Sequence, residues 1–298
     1  MAIPSPLPLA STASVRAIIL TLLTATVFAL MNGMNKYLTL DYHVGQVIWA
    51  RFFFAQCAIL LVAGYRGQIP DLFRTRRPKL QAVRTVMMLF STLLFIGALS
   101  VLPLADVEAI NFAAPLCVVA LSAPILRERV PGAIWAAVIT GFIGILVIIR
   151  PGAGVWSWAA LMPLGVALMY AVFQLITRRV GNADPALTSL FLSGLLGMVA
   201  TTLVVPLFWK WPDALGWTLM ILSGAFGSLG HFLLIKALDL APASLLQPFT
   251  YVQLLVAIAI GYFVFGALPD IWTWIGGSIV VASGLYVLLY QRRPKPAS

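Results

Sequence analysis

The sequence predicts an all-α membrane protein of ten transmembrane helices arranged as two inverted five-helix repeats, and three observations carry that expectation. The 298-residue chain is 61% hydrophobic and 9% charged, with a mean hydropathy of +1.00, against roughly 25% charged residues in a soluble domain. Apolar stretches long enough to cross a bilayer, which takes about 20 residues, recur with only short connections. The chain also resembles itself at an offset of 139 residues, with Ala98 falling on Ala237. Strands of a transmembrane barrel would alternate polar and apolar residues over about 10 positions, whereas these stretches are apolar all round.

The ten stretches fall at 17–37, 45–64, 84–102, 106–126, 132–150, 157–177, 187–208, 215–238, 243–265 and 271–290. The first exceeds the roughly 7–15-residue apolar core of a signal peptide and is expected to stay attached. It ends in MNGMNK, where Asn32, Asn35 and Lys36 stand at i, i+3 and i+4 and share a face. Lys36 either belongs to that polar face or snorkels to the interface. The second stretch holds Arg51, read as reaching headgroups or pairing with Asp41. Cys57 and Cys117 have no partner at metal-ligand spacing and read as packing residues, so neither metal nor cofactor is expected.

In the fourth stretch Glu108, Asn111, Phe112 and Pro115 follow i, i+3, i+4, i+7 and form one stripe. Glu108 has two readings: a first-turn carboxylate favoured by the helix dipole, or a cavity-facing group that meets a substrate amine or takes a proton. The sixth stretch supplies Tyr170, Gln174 and Thr177, with Tyr170 and Gln174 in register with Met31 and Asn35. The eighth contains SGAFGSLG, whose Gly224, Gly227 and Gly230 permit close helix approach. It also holds His231, either satisfied by a neighbouring hydroxyl or acting as ligand or proton carrier. The ninth repeats the stripe without its charge as Gln247, Thr250 and Tyr251. Trp156, Trp158, Trp209, Trp211 and Trp217 read as interfacial residues.

The net charge of +10 is topogenic. With the N terminus inside, fifteen of the 19 Lys and Arg fall on the inner side and only Lys36, Arg51, Arg150 and Lys210 on the other, as the positive-inside rule requires. Both termini are therefore expected in the cytoplasm, and nucleic-acid binding is excluded as an explanation of the charge.

At the 139-residue offset Pro103 meets Pro242, Glu108 meets Gln247, Asn111 meets Thr250 and Phe112 meets Tyr251. The same shift carries each of the first five stretches onto one of the last five. Five spans are odd, so the second copy enters from the opposite side. The expected organisation is a cytoplasmic tail at 1–16, a first repeat at 17–150, a second, inverted repeat at 157–290 and a cytoplasmic tail at 291–298. Inverted repeats place a substrate site near the midplane where the copies meet.

Three segments carry a family resemblance: FALMNGMNKYL, ALSVLPLADVEAINFAAPL and RERVPGAIWAAVITGFIGILVI. They resemble the first helix, the third-to-fourth helix hairpin and the fifth helix of the drug/metabolite transporter superfamily, in its ten-helix EamA type. The second copy departs from that pattern, with Ala267 in FGALPD where members often carry Glu. Glu128 is accordingly read as a loop residue beside Arg127 and Arg129. The resemblance implies transport rather than catalysis, and its amino-acid exporter branch fits the chain.

No H-E-x-x-H set, intramembrane acidic pair or nucleophile–base pair is present, and His43 and His231 are the only histidines; an enzyme is not expected. No G-x-x-x-x-G-K-[ST] sequence occurs, so the chain itself does not hydrolyse ATP. The expected function is a secondary transporter in a bacterial-type plasma (inner) membrane. It would export small metabolites, amino acids first, by alternating access through a central cavity. The alternative is a broad efflux carrier for lipophilic compounds. The expected substrate-binding residues are Asn32, Asn35, Glu108, Asn111, Phe112, Tyr170, Gln174, His231, Gln247 and Tyr251. Glu108 and His231 are the candidates for proton coupling, with facilitated diffusion as the competing mode. The expected partners are a small-molecule substrate and membrane lipids.

Overall fold

The computed structural model describes residues 12–126, 131–150, 158–180, 184–241, 246 and 249–291. Residues 1–11 and 292–298 of the expected tails, with Glu128, Trp156 and Gln247, lie outside them, whereas residues 12–16, expected as tail, open the first helix. The described residues form helices with no strand: α1 (Thr12–Asp41), α2 (Val44–Tyr65), α3 (Pro78–Val101), α4 (Leu104–Asn111), α5 (Ala114–Leu126), α6 (Gly132–Ile149), α7 (Leu161–Val180), α8 (Ala186–Val204), α9 (Ala214–Leu240), α10 (Val252–Phe265) and α11 (Ile271–Gln291). Six of these are long and apolar enough to cross a membrane, namely α1, α2, α3, α6, α9, and α8 with the turn that follows it. Shorter apolar stretches lie in α7, α10 and α11, at Leu161–Phe173, Val252–Phe265 and Ile271–Val287.

Among the described residues the fourth expected span is broken into α4 and α5. Pro115 has no N–H to give the Asn111 carbonyl, and its ring crowds the preceding turn. The ladder accordingly stops at Phe112, whose N–H still reaches the Glu108 carbonyl at 3.0 Å, and restarts with Cys117 N–H on the Ala113 carbonyl at 2.9 Å.

The packing repeats itself under exchange of the two halves. α1 lies on α9, and its counterpart pair α7 lies on α3. Likewise α2 packs on α9 as α8 packs on α3, and α1 packs on α10 as α7 packs on α5. Two interfaces, α2 with α8 and α6 with α11, are their own counterparts. An internal two-fold axis therefore passes through both. At each, glycine lets the helices touch: a Cβ on Gly144 would stand 2.8 Å from the Gly276 carbonyl oxygen, and one on Gly197 would meet the Phe52 ring at 2.6 Å.

The ends of the bundle are clasped in the same symmetric way. A 3-10 turn at Ile69–Phe73 and another at Val205–Phe208 each carry a proline near the start, and each following loop binds the start of a helix from the other half. Gln46, at the head of α2, donates to the Lys210 carbonyl at 2.7 Å and accepts from the Lys210 N–H at 3.0 Å. Asp184, just before α8, accepts from the Thr75 hydroxyl at 2.6 Å, the Arg76 N–H at 2.9 Å and the Gln81 amide at 2.8 Å. Burial pushes the Asp184 carboxyl up, but these hydrogen bonds and the Arg76 charge outweigh it and hold it below the usual aspartate value.

Candidate binding site between the repeats

The first polar cluster grows from the α1 face read in the sequence. Glu108, fully buried in the short helix α4, accepts a 2.6 Å hydrogen bond from the Asn32 amide and a 3.0 Å bond from the Gln253 amide of α10. One turn further along α1, Asn35 accepts from the Ser223 hydroxyl of α9 at 2.6 Å. The cluster thus joins α1 and α4 of the first half to α9 and α10 of the second.

Lys36 extends the same face but serves another end. Its ammonium donates to the Leu99 and Leu102 carbonyls at 2.6 and 3.0 Å, satisfying orphan acceptors at the C terminus of α3 where a cation also complements the helix dipole. Two further ties hold this end of the bundle: an Arg150–Asp270 ion pair between α6 and α11, and the Thr273 hydroxyl on Asp106 at 2.8 Å.

The second polar region is a half-open cleft of about 500 Å³, its open mouth included, between α2, α3, α8 and α9, with α7 contributing Phe173. Its polar lining is Arg51, Gln56, Arg84, Ser193, Ser228 and His231. Apolar walls come from Phe52, Ile59, Met88 and Leu190. It lies toward the end where α3 and α8 begin, whereas the Glu108 cluster lies toward the opposite end. Gly227 and the Met31 side chain above it connect the two regions along the α1–α9 interface.

Arg84 is 3% exposed; its guanidinium stands 4.7 Å from the Phe173 ring centre and donates weakly to Gln81 Oε1 (3.3 Å) and the Ser189 carbonyl (3.5 Å). Arg84 Nε and His231 Nε2 are buried without a partner among the described residues. Arg51 makes no hydrogen bond or ion pair there either, and no pair with Asp41 forms. His231 stacks edge-on against Phe28 of α1 at 4.9 Å.

The sequence-expected residues therefore divide. Asn32, Glu108 and Asn35 come together in the first cluster. Phe112 meets Tyr251 at 5.0 Å between ring centres, and Tyr170 stacks on Phe173 at 5.9 Å. Asn111 is half-buried at the α4 break, its Oδ1 without a partner among the described residues. Only His231 reaches the cleft. Gln174 lies on α7 next to Phe173, and Gln247 is outside the described residues. Three residues that matter were not singled out for the site: Gln253, a lone amide in an apolar run, and the two arginines, one read as a headgroup contact and the other as a topogenic charge.

Comparison with known proteins bears on what the arrangement is. The model of the EamA-like transporter family matches residues 15–150 and again 157–290. The chain is 25% identical over 272 residues to an S-adenosylmethionine uptake transporter of Rickettsia prowazekii, covering 91% of this chain and 92% of the relative. It is 28% identical over 271 residues to a riboflavin transporter of Vibrio cholerae, covering 89% and 90%, and 25% identical to a pseudopaline exporter of Pseudomonas aeruginosa, covering 89% and 93%. A solved crystal structure, 18% identical, superimposes with a TM-score of 0.67 over 97% of this chain and 99% of that one, a likeness of fold.

Proposed function

Because the chain belongs to the EamA-like transporter family, we propose that it carries a small amino-acid-related metabolite across a bacterial inner membrane by alternating access, with the cleft between α2, α3, α8 and α9 as its cargo site. The observation that carries this reading is the cleft itself: both halves build its walls, and ionisable and hydroxyl side chains converge on it inside an apolar bundle. Intramembrane polar groups of this kind mark substrate paths, and the internal two-fold axis supplies a second, mirrored arrangement of the same contacts.

In this conformation the Asn32–Glu108–Gln253 cluster and the Arg150–Asp270 pair close one end, while the cleft stands toward the other. Glu108, with both oxygens on neutral amides, is the group proposed to exchange a proton as the cluster opens. His231 is proposed as a cargo contact. Asn35, Asn111, Phe112, Tyr170, Gln174, Gln247 and Tyr251 are assigned to the path the cargo takes in the exchanged state. Direction of net flux follows the gradients acting on such a carrier, and export of amino acids is the outcome expected in the cell.

The test is counterflow in proteoliposomes. Unlabelled methionine, riboflavin or S-adenosylmethionine trapped inside should accelerate entry of its labelled form. Movement of a lipophilic cationic dye without counterflow of any of the three would favour the broad efflux reading, which the apolar cleft walls also support.

A further inference from the structure

Resting on that transport reading, we infer that the cleft is a receptor for an oxyanion, so that the cargo is a small organic acid or zwitterion whose carboxylate or phosphate sits between Arg51 and Arg84. Two guanidiniums and one imidazole line the cleft, and no Asp or Glu does. The Arg74–Asp71 and Arg150–Asp270 ion pairs both lie outside the cleft. Asp184 is linked to Arg84 through Gln81, whose amide binds the carboxylate while its oxygen accepts from the guanidinium.

A guanidinium carries five N–H donors in a planar fork that matches carboxylate and phosphate oxygens. Arg84 uses one nitrogen on two long contacts and leaves Nε unpartnered; Arg51 uses none. A solute anion entering the cleft supplies acceptors and countercharge at once. The Phe173 ring centre stands 4.7 Å from the Arg84 guanidinium carbon. Ser193 and Ser228 also line the cleft, and His231 offers an unpartnered Nε2. Ser228 already donates to the Ala55 carbonyl at 3.0 Å, which leaves its oxygen as an acceptor for an amine on the same solute.

The experiment uses the full chain in phosphatidylcholine nanodiscs at pH 7, titrated with N-acetylmethionine, methioninamide and glycerol 3-phosphate while the unfolding temperature is followed. N-acetylmethionine is expected to stabilise and methioninamide not. Arg51→Gln should weaken the acid's apparent affinity at least tenfold, and Arg51→Lys should recover part of it; Arg84→Gln provides a second variant should the first fold poorly. Stabilisation by glycerol 3-phosphate alone, lost in Arg51→Gln, upholds the receptor and assigns it to phosphate. Stabilisation by methioninamide alone, acid binding unchanged in both variants, or no response to either acid overturns the inference. So does stabilisation that appears only with added phosphatidylglycerol and that neither acid displaces, which would make the occupant a lipid headgroup. Counterflow of riboflavin, which has no ionised group at this pH, separates the two failures. Flux without acid binding leaves transport standing and removes the receptor, and absence of flux for every solute removes the transport reading itself.

Discussion

Two polar regions lie along α1 and α9, a few turns apart, and their charged groups are met in opposite ways. Around Glu108 the acid comes first and its partners close on it: both oxygens accept amide hydrogen bonds, and the residue is fully buried. Around Arg84 the cations come first and the partners run out, with Nε of Arg84 and Nε2 of His231 left unpartnered beside open space. The first pattern holds helices together. The second leaves a charged group short of acceptors beside open space, whereas the atoms left unpartnered around the first, Asn32 Oδ1 and Asn35 Nδ2, belong to neutral amides; a buried polar group in a native structure is otherwise almost always paired.

The contrast makes opposite predictions for stability. Glu108→Ala strands the buried Asn32 amide, an unsatisfied donor costing about 1–3 kcal/mol, and releases the half-buried Gln253 amide, so the variant should unfold at a markedly lower temperature in detergent. Glu108→Gln keeps the shape and should lose less stability, yet should flatten the dependence of counterflow on pH if Glu108 moves a proton. Unaltered pH dependence would return Glu108 to a purely structural role.

Next in size is the seam between α2 and α9. A Cβ on Gly224 would stand 2.7 Å from the Ala55 nitrogen and 2.8 Å from the Phe54 carbonyl carbon, backbone atoms that cannot swing aside. Gly224→Val should therefore cost about 1–3 kcal/mol as an overpacked contact, measurable as a lower midpoint of thermal unfolding. Both regions should weaken together, since α9 carries Ser223 and His231 on either side of the seam.

The cleft should behave the other way. Arg51→Met removes a cation that nothing among the described residues neutralises, and replacing buried charge by an apolar side chain of similar volume is often neutral or stabilising. Its unfolding temperature should stay level or rise while counterflow of an acidic solute falls at least tenfold. A clear loss of stability would show that Arg51 is structural and would erase the contrast.

Much of this organisation is legible in the sequence and some of it is hidden for definite reasons. Hydropathy and the 139-residue offset expose the helices and the repeat because burial on all sides and duplication both act over many residues. The Asn32–Glu108 contact was within reach as two polar groups expected in one lining. Arg84 was missed because the third helix begins at Pro78 rather than near residue 84. Pro at the first helical position starts a helix at no cost in hydrogen bonds. It sets Arg84 six residues inside, about 9 Å along the axis, where a run of basic residues looks like loop. Gln253 carries no local signal beyond a lone amide in an apolar run, since only the three-dimensional approach of α10 to α4 gives it a partner. The break at Phe112 could have been read from Pro115, and it removes the single continuous stripe that the i, i+3, i+4, i+7 spacing implies.

The smallest effect lies at the clasps. Asp184 is held below the usual aspartate value, so the stability it contributes is fully present above the unfolded value of about 4 and is lost only as pH falls through its lower folded value. Between pH 7 and 5 the Thr75–Arg76–Gln81 clasp should therefore not change, and protection of the 69–77 loop from hydrogen exchange should fall only in stronger acid. Asp184→Asn keeps one acceptor oxygen and removes the charge. It should show weaker protection at neutral pH and no further loss on acidification. The opposite clasp rests on the neutral Gln46 and the Lys210 backbone, so its hydrogen bonds give no acid transition of their own over the same range. An acid step at both clasps would mean that something other than Asp184 titrates.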